Sequence, residues 1–243
     1  MPEIQTEKVT LAVDDGTQMN AYSARPVGEG PFPGIIVLQE AFGVNAHIRD
    51  MVARFAIEGF IAIAPELFHR TGPGFEGSYT DFTAVMPHMQ ALNDADTTAD
   101  LAAAHAWLVG QSCENTAAVG YCMGGRAAFL AAATLPLDAS ASYYGGGIAP
   151  GPRGPGLLGR LGDVACPLLF FWGGLDKHIG SDAIRTIDDA LIAAGKDYIT
   201  VVMSKADHGF FCDERASYSA DASAAAWPMT LAFLRLHLNN QLT

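Results

Sequence analysis

The stretch Gly120-Tyr121-Cys122-Met123-Gly124-Gly125 sets a cysteine among glycines, after the apolar run Thr116–Val119 and at the start of a small-residue segment, Gly124–Thr134. Read as strand, turn and helix, this arrangement exposes a nucleophile on a strained bend. Glycines two before and two after the cysteine remove side chains that would collide there. The following helix would point its partly positive N-terminus at the sulfur, which suits a thiolate and an oxyanion alike. The plainer reading is a buried cysteine in a Gly-rich turn.

Two other residue types needed for such chemistry recur in similar settings. Asp176 follows the apolar run Leu168–Trp172 and Gly173-Gly174-Leu175. Taken alone it reads as a turn or capping aspartate. His208 follows Tyr198–Met203 and Ser204-Lys205-Ala206-Asp207; taken alone it reads as a loop histidine. Together the three stand in the order nucleophile, acid, base, each just past a predicted buried strand, which is the α/β-hydrolase order. Ligands in open α/β sheets bind beyond those strand ends. Cys122 would attack a carbonyl, His208 would carry the proton, and Asp176 would orient the imidazole.

Past the run Ile35–Leu38 comes Gln39-Glu40-Ala41-Phe42-Gly43. Such folds take a second oxyanion-hole amide from this place. The expected donors are therefore the backbone N–H groups of Met123 and Ala41. Glu40 stays open between two readings: a salt-bridged loop residue, or a carboxylate that accepts the thiol proton. Phe42, Tyr121, Tyr144 and Phe210 are candidates to contact substrate. Arg126, just after the cysteine turn, is expected either to pair with Glu40 or to lie on the surface.

Elements of alternating type must hold these residues. Lys8–Val13 and Met19–Ala24 read as an antiparallel pair around Asp14-Asp15-Gly16. Ile35–Leu38 and Phe60–Ala64 are β-branched runs of the kind buried on both faces. Between them Asn45 caps a predicted helix that Gly59 ends. Residues 66–93 form an excursion with a short helix inside, Asp94–Val109 a helix, and Ala139–Tyr144 a strand. A Gly/Pro-rich loop runs from Gly145 to Ala165. Asp182–Ala194 is a predicted helix, and Ser217–Leu238 another, kinked or broken at Pro228. Alternation of strand and helix implies a mostly parallel sheet of seven to eight strands with helices on both faces, in one domain over residues 1–243.

Composition narrows the partners. The 243 residues carry 14 basic against 26 acidic side chains, a net charge of −12. A nucleic-acid backbone would be repelled, so no nucleic-acid partner is expected. No apolar run is long enough to cross a membrane and no secretory leader is visible, so a cytoplasmic protein with no membrane partner is expected. The four cysteines, Cys113, Cys122, Cys166 and Cys212, have neither disulfide-scaffold nor zinc-site spacing. His47, His69, His88, His105, His178 and His237 also lack ligand spacing. Neither metal nor cofactor is expected, and the chain would act as a monomer or small homo-oligomer on a small molecule.

These residues resemble the dienelactone hydrolase (carboxymethylenebutenolidase) family over nearly the whole chain. The marks are Gln39-Glu40-Ala41-Phe42-Gly43-Val44-Asn45, Pro65-Glu66-Leu67-Phe68, Gly120–Gly125, Tyr143-Tyr144-Gly145, Gly173–Asp176 and His208-Gly209-Phe210. The resemblance implies an α/β-hydrolase fold and cleavage of an ester or lactone through an acyl-thioester on Cys122, with His208 and Asp176 completing the triad. It implies that Glu40 holds the resting thiol neutral and becomes its base when substrate displaces it. It places a carboxylate-binding arginine at Arg215. The family's second such arginine has no counterpart here: residues 66–93 hold only Arg70, with Phe75, Tyr79, Phe82, Met86 and His88 around it. The alternative from another class is a non-hydrolytic small-molecule binding protein on the same scaffold.

Overall fold

The computed structural model describes residues 2–152 and 154–238. Eight strands form a mostly parallel sheet, and the chain divides into two compact units, 1–118 and 119–243. The division falls inside one strand, β5 (Thr116–Tyr121).

In the first unit, alternating side chains build a hairpin from β1 (Ile4–Ala12) and β2 (Gln18–Pro26), paired so that Leu11 faces Met19. The turn holds Gly16 at φ +86°, where glycine alone sits without strain. The runs β3 (Gly34–Leu38) and β4 (Ile61–Pro65) are wholly buried and pair in parallel, and β2 joins β4 antiparallel. The crossover is helix α1 (Ala46–Ile57), whose Asn45 cap accepts a hydrogen bond from Ile48 N. Its core side, Ile48, Met51, Val52 and Phe55, packs on the strands. Burying four side chains of that size supplies on the order of 6–12 kcal/mol of transfer free energy. Helix α2 (Phe82–Ala91) lies in the excursion, and α3 (Asp94–Gly110) follows with Asn93 as its cap.

In the second unit, α4 (Met123–Thr134) leads to β6 (Ala139–Tyr143), a 3-10 turn (Leu158–Asp163), β7 (Leu168–Gly173), α5 (Ser181–Ala193), β8 (Tyr198–Met203) and α6 (Ala220–His237). β6, β7 and β8 pair in parallel. Pro228 lies inside one continuous helix, so of the kink and the break expected at this proline the break is absent. One sequence expectation is overturned. β8 is not a buried strand: its six residues are all half-buried or exposed, because it stands at an edge of the sheet. The Gly/Pro-rich loop contains a 3-10 turn that its composition does not signal. No helix among the described residues is long and apolar enough to cross a membrane.

The excursion is tied down by side chains at its start. Gln39 Oε1 accepts from Leu67 N at 3.0 Å. The Arg70 guanidinium donates to both oxygens of Asp100 at 2.9 Å and to Asp15 at 2.6 Å. Asp100 is fully buried. Burial raises its carboxyl above the usual carboxylate range, and the Arg70 hydrogen bonds oppose that rise. A bidentate guanidinium–carboxylate pair at such a place is costly to break from one side only. Arg70→Ala is expected to lose about 3 kcal/mol in urea unfolding. Arg70→Met with Asp100→Leu should recover most of that loss, since no uncompensated charge then stays buried.

Candidate active site

The turn at Cys122 is built from backbone constraints. β5 ends at Tyr121 and α4 begins at Met123, so Cys122 alone makes the bend, at φ +54° and ψ −115°. A non-glycine residue there carries strain that its surroundings must hold. Cys122 N donates to Tyr143 O at 3.0 Å, and Gly125 N donates to Cys122 O at 2.9 Å. Gly120 is obligatory: a Cβ at this position would lie 1.8 Å from the carbonyl oxygen of Gly124. Gly125 is nearly as restricted, with Gly145 Cα 2.8 Å from its would-be Cβ. The bend therefore exists only because two backbone segments touch where side chains are absent.

The structure brings the three sequence candidates of this unit together. His208 Nε2 lies 3.1 Å from Cys122 Sγ, and His208 Nδ1 lies 2.7 Å from Asp176 Oδ2. The other carboxylate oxygen, Asp176 Oδ1, accepts from His178 N at 2.7 Å and Ile179 N at 3.0 Å. Asp176 is thus at once a turn aspartate and the partner of His208, one role for each oxygen. Asp207 Oδ1 accepts from His208 N at 2.7 Å and fixes the histidine's backbone as well.

Electrostatics follow from this chain of contacts. Burial alone would lower the His208 pKa, but the hydrogen bond to Asp176 and the contact with Cys122 outweigh it and hold it up at about 10. Burial alone would raise the Asp176 carboxyl, yet the His208 bond and the two amides hold it below the usual range. Cys122 is half-buried, whereas Cys113, Cys166 and Cys212 are buried and all four are free thiols. Burial pushes Cys113 and Cys166 up to about 11, so those two are small core residues.

The rings proposed for substrate contact are placed differently from an open pocket lining. Tyr121, Tyr144 and Phe210 are all fully buried. Tyr144 meets His208 edge-on at 5.2 Å and Phe210 at 5.3 Å. Its backbone sits at φ +42°, with its N–H donated to Phe171 O at 2.7 Å. Its ring thus supports one side of the imidazole. His178, not singled out by its position in the sequence, stands edge-on to His208 at 5.7 Å. Its nearness to Asp176, two residues on in a tight turn, was the available signal. Arg215 packs on the peptide of Gly209: a Cβ there would lie 2.4 Å from the guanidinium carbon. Arg126 Nε donates to Gly147 O at 3.3 Å.

The candidates of the first unit form their own cluster. Glu40, Ala41 and Phe42 are buried just past β3. Gln39 Nε2 donates to Glu40 O at 3.3 Å, and Gly77 N donates to Phe42 O at 3.0 Å. Phe42 stacks at a tilt on Tyr79 at 4.5 Å and meets Phe82 edge-on at 5.3 Å. Asn45, besides capping α1, donates to the Tyr79 hydroxyl at 2.8 Å. Phe82 and Met86 are exposed. His88 packs on Phe68 and Phe75 and hydrogen-bonds the Thr71 hydroxyl.

A cysteine on a strand–helix bend, a histidine and an aspartate past the next strand ends, and a mostly parallel sheet together define an α/β-hydrolase. The chain belongs to the dienelactone hydrolase family, whose model matches residues 19–238. It is 38% identical over 233 residues to a Synechocystis sp. protein named "Putative carboxymethylenebutenolidase", covering 93% of this chain and 94% of that one. A Yersinia pestis protein of the same name is 35% identical over 239 residues, covering 94% and 87%. The solved structure of a "Putative Dienelactone Hydrolase" from Klebsiella pneumoniae is similar with a TM-score of 0.87 and 34% identity, covering 95% of this chain and 98% of that one.

The raised His208 gives a pH signature. A histidine whose folded pKa exceeds its unfolded value adds stability that is complete below about pH 6.5 and lost as pH rises through the folded value, here about 10. In a proton-detected titration the His208 imidazole should stay protonated through neutral pH. Asp176→Asn should shift its midpoint downward and reduce thermal stability at pH 7, with the difference from the parent shrinking above pH 10. An unchanged midpoint would mean the Asp176 contact does not govern this histidine.

Proposed function

We propose that this chain hydrolyses a carboxylic ester or lactone by nucleophilic catalysis from Cys122. The observation that carries the reading is the continuous chain Asp176–His208–Cys122 on a strained bend. The Cys122 sulfur, its proton passed to His208, attacks the carbonyl carbon, and the oxyanion that forms is met by the backbone N–H of Met123 at the start of α4. Collapse breaks the C–O bond to the leaving alcohol, which takes a proton from His208, and leaves an acyl-thioester. Water, giving its proton to His208, then attacks the thioester and releases the acid. Asp176 stabilises the imidazolium in both halves. His208 returns the proton to the Cys122 thiolate released at the end of the cycle.

The contact of Arg215 with Gly209, next to His208, supports the reading that its guanidinium attracts a negatively charged part of the substrate. Arg70 is not available for that task, because its fork is engaged by Asp15 and Asp100. Phe82 and the half-buried Tyr79, both packed on the buried Phe42, offer aromatic surface in the excursion instead. The favoured substrate accordingly carries at most one carboxylate and a larger apolar part than a small dicarboxylate-like lactone.

A panel of activated aryl esters and five-membered lactones tests the reading. Cys122→Ala is expected to lower kcat at least about 10³-fold, and His208→Asn comparably. Rapid acid quench of the parent should show Cys122 carrying the acyl group by mass. Full activity in Cys122→Ala would sink the assignment. Covalent labelling without turnover on any ester or lactone would favour the binding-protein alternative.

A further inference from the structure

β8 is the last strand of the sheet, and among the described residues nothing pairs with its outer edge. Its sequence, Tyr198-Ile199-Thr200-Val201-Val202-Met203, contains no charge, no proline and no glycine. Ile199 is 50% and Val202 49% exposed. Soluble proteins usually guard such an edge with lysine, proline or a bulge, since it templates pairing with another chain. This edge carries none of those guards within the strand.

The backbone fixes which residues can pair outward. Asp197 O accepts from Leu168 N, and Met203 O accepts from Gly174 N, so the odd-numbered residues turn their polar groups toward β7. In a strand the direction alternates. Tyr198, Thr200 and Val202 therefore present their N–H and C=O groups to the open edge. A second copy related by a two-fold axis must pair antiparallel, and outward residues must face outward residues. The axis then passes through Thr200, Val201 or Val202, never between residues.

Charge separates these three registers. With the axis at Val201, Asp197 faces Lys205 of the other copy and Lys205 faces its Asp197. Ile199 faces Met203, and Val201 faces itself. An apolar ladder is then closed at each end by an opposite-charge pair, an arrangement that favours cross-strand pairing. With the axis at Val202, Asp197 would oppose Asp207, a like-charge contact. With the axis at Thr200, Asp197 would oppose Met203 and lose its partner. Asp197 and Lys205 are both exposed. The segment 196–205 holds two lysines and one aspartate in a chain of net charge −12, so this edge is a local exception to the protein's self-repulsion. Ile192, 65% exposed near the end of the helix leading into β8, adds apolar area beside the strand's start.

We infer that β8 is a self-complementary edge and that the chain forms a two-fold homodimer through it, antiparallel about Val201, with Asp197–Lys205 pairs at both ends. Thr200 and Val202 of the two copies exchange backbone hydrogen bonds across the axis, which would join the two sheets into one.

Sedimentation velocity across a concentration series tests this on the full chain. The parent, of 25.6 kDa, should sediment at twice its chain mass. Lys205→Asp sets two aspartates against two aspartates and should weaken dimerisation at least about 10-fold. Asp197→Lys together with Lys205→Asp restores opposite charges and should return the dimer to near the parent's strength. Thermal melts of each variant establish that the monomer remains folded. A parent that stays monomeric at every concentration, or a dimer that ignores the charge reversals, overturns the proposal. A double reversal that is no better than the single one overturns the register.

Discussion

The bend at Cys122 depends on a steric exchange between Gly120 and the carbonyl of Gly124, which occupy a space that one Cβ would fill. Only because no Cβ competes with that carbonyl can the backbone pass from the end of β5 to the start of α4 in a single residue at positive φ. Hydrogen bonds to Tyr143 and Gly125 hold the strain. The sulfur consequently stands clear of the sheet, at a distance that His208 can reach from the end of β8. The rest of the site is arranged around that fixed point.

Asp176 shows how a small residue can satisfy two demands. One oxygen closes a tight turn on two amides, and the other faces the imidazole. The turn bonds orient the carboxylate, and the carboxylate orients His208. Tyr144 and Asp207 restrain the same histidine from its ring and its backbone. Few degrees of freedom are left in the imidazole.

Much of this was legible from residue types. The cysteine turn, the order of Cys122, Asp176 and His208, and the Asn45 cap are local patterns, and the structure places them close to their expected bounds. Other features depend on neighbours distant in sequence. Tyr198–Met203 reads the same whether it lies mid-sheet or at an edge, because a β-branched run reports strand character and not strand order. The positive φ of Tyr144 has no sequence signal, since tyrosine does not favour that region. For Asp176 the two competing readings proved compatible, which no pattern of spacing could reveal. The engagement of Arg70 by Asp15 and Asp100 likewise joins residues far apart in the chain.

The excursion between β4 and α3 is held at its root by Gln39 on Leu67 and the Arg70 fork, and farther along by Gly77 on Phe42, Asn45 on Tyr79 and the Arg49–Glu76 pair, while Phe82 and Met86 stay exposed. A segment anchored this way can exchange its outer residues without disturbing the strands beneath. The bend that carries the sulfur has no such latitude: it stays under a constraint that admits glycine alone at position 120.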